Sequence, residues 1–297
     1  MKKTEIKKIL VPIDFSETSE IATTEAITLA RLLKADLFLI HVIEFNGYQF
    51  SVVPEMQTIL PSLLELEKVV EKKMEKIQEK IKKTFGIKPE IFVTTGDAYS
   101  EIISFSEKKK IGLIVMGTHG ISGYQEMFIG SNAQRVVTLS DIPVLTIQKK
   151  KSKSGYKNIL IPIDNSLHSR EKVNMAMIFA DLFGAKIHLI GFPDSKDKQE
   201  LNKFKIKLES VEKIIRAEKL PYVTSIIHGN SLAKSAMNYA TKNKCDLIVI
   251  NTGHESKITG IFLGAFAQQI VNHSKVAVLS CKHTQSELSI ETPGFGI

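Results

Sequence analysis

The sequence has no tryptophan and only two cysteines, Cys245 and Cys281, in 297 residues. Two distant cysteines make neither a disulfide framework nor a CxxC metal pair. A reducing compartment, and so the cytoplasm, is the expectation. No apolar run approaches the ~20 residues that a membrane-spanning helix needs. The first residues carry a basic flank, but the apolar run behind it stops at Pro12, short of a secretory signal. Positive charge is in excess, 40 Lys and Arg against 32 Asp and Glu, a net +8. The lysines are scattered, however, and the short runs Lys108–Lys110 and Lys149–Lys151 fall at an expected helix end and in a linker. Without aromatic interleaving or a nucleic-acid motif, no nucleic-acid partner is expected, and no membrane partner either. What is present is enough apolar material, 43%, for packed cores, in a length that suits two domains better than one.

The chain repeats itself. Ile9-Leu10-Val11-Pro12-Ile13-Asp14-Phe15-Ser16 returns 150 positions later as Ile159-Leu160-Ile161-Pro162-Ile163-Asp164-Asn165-Ser166. Further on, Leu113-Ile114-Val115 returns 134 positions later as Leu247-Ile248-Val249. At the same offset Gly130-Ser131-Asn132-Ala133-Gln134 returns as Gly264-Ala265-Phe266-Ala267-Gln268. The first copy therefore holds about 16 extra residues, assigned to Glu44–Pro61. The polar stretch Lys149–Gly155 reads as a linker. The expected division is residues 1–150 and 155–284, with a polar tail at 285–297.

Each half alternates short β-branched apolar runs with amphipathic stretches. In the first half strands are expected at Lys8–Ile13, Asp36–Ile43, Glu90–Thr94, Ile111–Met116 and Val144–Ile147. Ser16 or Thr18 can cap the first helix, and Asp97 the third. Leu63, Leu66, Val70, Met74, Ile77 and Ile81 form one stripe of a long helix ending near Gly86. The second half expects strands near Ile159–Ile163, Lys186–Ile190, Val223–Ile227, Leu247–Ile250 and Val276–Leu279. Strands separated by helices imply an α/β fold, a parallel sheet covered on both faces. Such sheets bind ligands beyond the carboxyl ends of their strands.

After the fourth strand the spacing is G-x2-G-x9-G-S, from Gly117, Gly120 and Gly130-Ser131. It is neither a Walker loop nor the dinucleotide G-x-G-x-x-G. Gly117 and Gly120 let backbone approach a ligand closely. Gly130-Ser131 opens a helix, where free N–H groups and the macrodipole favour an anion. The bland alternative is that the glycines only shape a turn and Ser131 only caps a helix.

Val11-Pro12-Ile13-Asp14-Phe15-Ser16, Met116-Gly117-Thr118-His119-Gly120 and Gly130-Ser131 together resemble the universal stress protein family, twice over along nearly the whole chain. The resemblance implies two tandem flavodoxin-like (adenine nucleotide alpha hydrolase-like) domains, each a five-stranded parallel sheet of order 3-2-1-4-5. Many members bind ATP or another adenine nucleotide; others lack the motif and do not. By position, Pro12, Ile13 and Asp14 would line the adenine and ribose side. Val42 would offer backbone to the base and Met116 would pack near it. Gly117, His119 and Gly120 would approach ribose and phosphates, and Gly130, Ser131 and Asn132 would hold the phosphates. Asp14 could also meet a nucleotide-bound Mg²⁺, or be only a strand-end cap. His119 has no evident partner for base catalysis and is read as a hydrogen-bonding loop residue. His41 is read as a satisfied core residue.

In the second half Asn251 and His254 replace Gly117 and Gly120, and Ala265 and Phe266 replace Ser131 and Asn132. Its nucleotide binding should be weak or absent. The reading is a stress-response protein that binds an adenine nucleotide, ATP foremost, in its first half, with the second half as structural or interaction partner. A slow ATPase and a nucleotide-independent scaffold are the alternatives, with at most weak hydrolysis in the absence of a Walker lysine. The family's pairing through last strands suggests contact between Pro143–Ile147 and Val276–Cys281, within one chain or in a homodimer.

Overall fold

The computed structural model describes residues 5–44, 63–118, 129–148, 155–164, 172–193, 195–229, 231–252 and 263–282. Almost all of the segment Glu44–Pro61, the linker and the tail lie outside the described residues. The first half runs β1 (Lys8–Pro12), α1 (Glu17–Leu33), β2 (Asp36–Ile43), α2 (Leu63–Phe85), β3 (Glu90–Thr95), α3 (Ala98–Lys109), β4 (Leu113–Gly117), α4 (Ser131–Leu139) and β5 (Val144–Ile147). The second runs β6 (Asn158–Ile163), α5 (Lys172–Phe183), β7 (Lys186–Gly191), α6 (Lys198–Ala217), β8 (Tyr222–Ile226), α7 (Leu232–Lys242), β9 (Leu247–Asn251), α8 (Ala265–His273) and β10 (Ala277–Cys281).

Alternation along each strand builds two cores, one on each sheet face. Ile9, Val11, Leu113, Leu145, Ile161 and Leu279 point to the side covered by α1, α2, α5 and α6. Leu10, Ile114, Val144, Leu160, Ile248 and Val278 point to the side covered by α3, α4, α7 and α8. The α2 stripe buries Val70, Met74 and Ile81. It ends at Gly86, whose φ of +73° and N–H bond to the Lys82 carbonyl close the helix. Ser16 caps α1 through the Ser19 N–H. Asp97 occupies the cap position of α3 but makes no side-chain cap bond. The acceptor comes instead from Glu44, whose Oε1 takes the Ala98 N–H at 3.2 Å.

Within each half the strand order is the expected 3-2-1-4-5 and all pairings are parallel. The halves then share a single ten-stranded sheet, β3-β2-β1-β4-β5-β10-β9-β6-β7-β8. The seam is β5 against β10, antiparallel, with Leu145 opposite Leu279 and the Thr146 hydroxyl donating to the Val278 carbonyl at 3.2 Å. Last-strand pairing is thus made within the chain, by Val144–Ile147 and Ala277–Cys281. Both edges of each strand are occupied, so a homodimer through them would require exchange of whole halves. Because the seam is antiparallel, the strand carboxyl ends of the two halves face opposite ends of the sheet.

His188 on β7 is 6% exposed and held at both ring nitrogens. Nε2–H donates to Asn158 Oδ1 at 3.1 Å, which leaves Nδ1 to accept the Tyr239 hydroxyl at 3.0 Å. Burial first, then Lys186, pulls its pKa below the ordinary 6.5, against Asp246. Burial also lowers His41, against its bond to Ile13 and the charge of Asp14. A depressed histidine means that the unfolded chain binds the extra proton first. The stability that both neutral rings contribute is present above pH 6.5 and is lost as pH falls through their folded values. Unfolding titrations from pH 7 to 5 should show stability falling with acid, with a shallower slope in His188→Gln. An unchanged slope in that variant would remove His188 from the account.

Candidate functional site

The strand order reverses between β1 and β4, so the loops leaving their carboxyl ends diverge and open a cleft. One cleft there is lined by Pro12, Ile13, Asp14, Val42, Met116, Gly117 and Asn132 together with Ser19, Ile40, His41, Glu44, Ala98 and Ile102. Its floor is apolar, from Ile13, Ile40, Ile102 and Met116. Its rim is polar, from Asp14, Glu44 and Asn132.

The chain leaves β1 through a strained residue. Phe15 has φ of +63°, a left-handed conformation that costs a non-glycine residue about 1 kcal/mol or more. It is held by a tilted ring contact with His41, centroids 4.6 Å apart, and by Lys73 Nζ at 5.2 Å over its ring. The turn fixes Asp14, whose Oδ1 accepts both the Ser16 N–H at 3.0 Å and the Ser16 hydroxyl at 2.5 Å. One carboxylate oxygen thus serves the turn. Asp14 is a cap as well as a cleft residue. His41 is a satisfied residue in that its Nδ1 donates to the Ile13 carbonyl at 2.6 Å. It also lines the cleft.

Gly117 ends β4, and its lack of a side chain serves packing. A Cβ there would lie 2.8 Å from the Thr18 Cβ and Oγ1 and 2.9 Å from the Thr18 carbonyl carbon. The glycine lets α1 seat against β4, and the same residue lines the cleft. Gly130 is the cap residue of α4 in extended conformation, its N–H bonded to the Thr118 carbonyl at 2.6 Å. Ser131 is exposed at the first turn of that helix; neither it nor Gly130 lines the cleft floor. His119 and Gly120 lie outside the described residues.

Glu44, Ser19, Ile40, Ala98 and Ile102 line the cleft without having been singled out from sequence. Glu44 closes over the α4 end as well as capping α3: the Asn132 Nδ2 donates to both its carboxylate oxygens at 3.3 Å. A carboxylate thus sits where two helix amino ends converge, a position suited to any anion. Among the described residues no group of three or more His, Cys, Asp or Glu could hold a metal ion unaided. No described helix is long and apolar enough to cross a membrane.

The corresponding strand end of the second half is built from other chemistry. Asn251 ends β9, the Thr252 N–H bonds the Cys281 carbonyl as the Thr118 N–H bonds that of Ile147, and Phe266, in the first turn of α8, packs partly buried against the core. His254 lies outside the described residues. Near Asp164, Lys172 is 2% exposed, and burial pushes its ammonium down to about 8. Asp164 and Cys281 oppose that shift and Lys207 adds to it. Cys245, buried between α7 and β9, has its thiol pushed up to about 12 by burial and then by Asp246, so it is not a nucleophile near neutral pH.

The sequence profile of the universal stress protein family matches residues 5–148 and again residues 155–282. Universal stress protein MJ0531 of Methanocaldococcus jannaschii is 34% identical over 146 residues, covering 49% of this chain and 84% of its own length. Universal stress protein MJ0577 of the same organism is 32% identical over 158 residues, covering 49% of this chain and 97% of its own. Among solved structures, a universal stress protein from Archaeoglobus fulgidus superposes with a TM-score of 0.74 at 21% identity, covering 96% of this chain and all of that one. That likeness shows the same fold over both halves. Matched by the family profile in each half, the chain belongs to the universal stress protein family as a tandem of two copies.

Proposed function

We propose that the first half binds an adenine nucleotide, ATP foremost, in the cleft between β1 and β4, and that the second half, from about residue 155 to 284, is its structural or interaction partner. What supports this reading is the convergence of Pro12, Ile13, Asp14, Val42, Met116, Gly117 and Asn132, drawn from four elements, on one cleft. Its apolar floor suits the flat face of a base, and its rim and the α4 amino end suit ribose hydroxyls and phosphates. The two rim carboxylates, Asp14 and Glu44, suit a Mg²⁺ carried in by the nucleotide, which would neutralise phosphate charge there. The cleft suits regulatory binding: His41 Nδ1 is committed to a backbone carbonyl, and the carboxylates Asp14 and Glu44 are engaged by Ser16 and by Ala98 and Asn132.

Calorimetric titration with ATP, ADP and AMP, with and without Mg²⁺, tests the reading. One site per chain is expected, weakened at least tenfold in Asn132→Ala. Asp14→Asn, which keeps the turn acceptor, should lose the Mg²⁺-dependent part of the affinity. Glu44→Gln should tighten Mg²⁺-free ATP about tenfold, since a neutral amide no longer repels the phosphates. A folded, ligand-free protein that binds none of the three nucleotides would leave a tandem scaffold in its place.

A further inference from the structure

The second half keeps Asp164 where the first has Asp14, but two buried apolar neighbours have become reactive ones. Lys172 stands 150 positions after Ala22, and Cys281 stands 134 after Ile147; all four side chains are buried. Lys172 has, among the described residues, neither a hydrogen bond nor an ion-pair partner for its ammonium. A second cation reaches the same strand end. Lys207 Nζ donates to the Asp164 carbonyl at 2.6 Å, and its charge acts on Lys172. Lys207 corresponds to Lys73, since the buried residues Phe204, Leu208 and Ile215 of α6 repeat Val70, Met74 and Ile81 of α2 at the same offset. Two ammonium groups and one carboxylate therefore meet at the carboxyl end of β6, beside β9, where the strand order reverses.

A buried ammonium without a partner is unfavourable, and folds keep such groups chiefly where a ligand completes them. At pH 7 a lysine titrating near 8 still carries its charge, so the missing partner is an anion. A dianion answers two cations better than a single carboxylate does, and a tetrahedral oxyanion can take donors from two sides. We propose that the β6/β9 strand end of the second half binds a small phosphate-bearing anion, with Lys172 and Lys207 as its cationic contacts. This site differs from the first-half cleft in carrying Lys172 where the first half has Ala22, and it does not depend on the nucleotide reading.

Thermal unfolding of the full chain in inorganic phosphate, against chloride at matched ionic strength, tests it in four proteins: wild type, Lys172→Met, Lys207→Met and the first-half variant Asn132→Ala. The wild type should show a saturable rise of about 4 °C or more. Lys172→Met should lose the rise while melting higher than wild type to begin with, so loss of folding is not the explanation. Lys207→Met should require at least tenfold more phosphate, and Asn132→Ala, which removes only a first-half contact, should keep the rise that Lys172→Met loses. The proposal is overturned by a wild type indifferent to phosphate, by an undiminished response in Lys172→Met, or by a response lost only in Asn132→Ala.

Discussion

Gly117→Ala is expected to lower the unfolding free energy by about 3 kcal/mol, a large effect for one methyl group. The added carbon would meet Thr18 at 2.8 Å through its side chain and 2.9 Å through its carbonyl carbon. A rotamer change could relieve the first contact but not the second, so β4 and α1 must move apart. The loss should appear as a shifted denaturation midpoint with an unchanged slope. A shift below about 0.5 kcal/mol would mean that α1 gives way easily and that the glycine has no packing role. Nucleotide titrations of Gly117 variants mix folding with binding, which is why Asn132 and Asp14 are the cleaner probes of the cleft.

Lys172→Met is expected to act in the opposite direction, stabilising the chain by about 3 kcal/mol at pH 7 in the absence of phosphate. The replacement keeps length and volume and removes a charge that is 2% exposed. The sign follows from linkage. A lysine lowered from 10.5 to about 8 binds its proton less readily in the folded chain than in the unfolded one. Its penalty is absent above pH 10.5, grows as pH falls through that window, and is complete below 8. The advantage of methionine should therefore be full at pH 7 and disappear near pH 10.5. Asp164, Cys281 and Lys207 are the described groups that act on this amine. A variant no more stable than wild type at pH 7 would show that the ammonium is solvated or paired in solution.

Strands were legible wherever an apolar run was bounded by polar residues. Asp36–Ile43 and Val144–Ile147 are the observed β2 and β5, and β4 differs only by starting at Leu113 and running on to Gly117. The repeat carried the rest of the fold, since the second half copies the order of the first. The cleft was legible in part, because residues just past parallel strands converge by topology. What sequence could not supply were partners distant along the chain. Glu44 caps α3 from 54 residues away, a relation that no local cap rule registers. The contact that explains Gly117 joins β4 to the first turn of α1, on the far side of the intervening strands and helices. Lys172 did leave a signal: with the halves aligned, a lysine stands against Ala22 in the middle of a buried helical face. A cation at an alanine position is the mark of a site whose chemistry has changed.

The seam between β5 and β10 has a mechanical consequence. Ten strands about 4.8 Å apart make a plate on the order of 45 Å wide, and its two halves are related by a half-turn about the seam. The β1/β4 and β6/β9 strand ends thus lie at opposite ends of one sheet, and no ligand or partner domain can straddle both from the same side. A signal passing between them crosses the hydrogen-bonded run β4-β5-β10-β9, whose middle contact is three residue pairs long, or the bonds of Lys282 to the Leu139 carbonyl and Asp141 beside it. A ligand bound at one end of the sheet and a partner docked at the other would therefore be coupled through the sheet and not by direct contact.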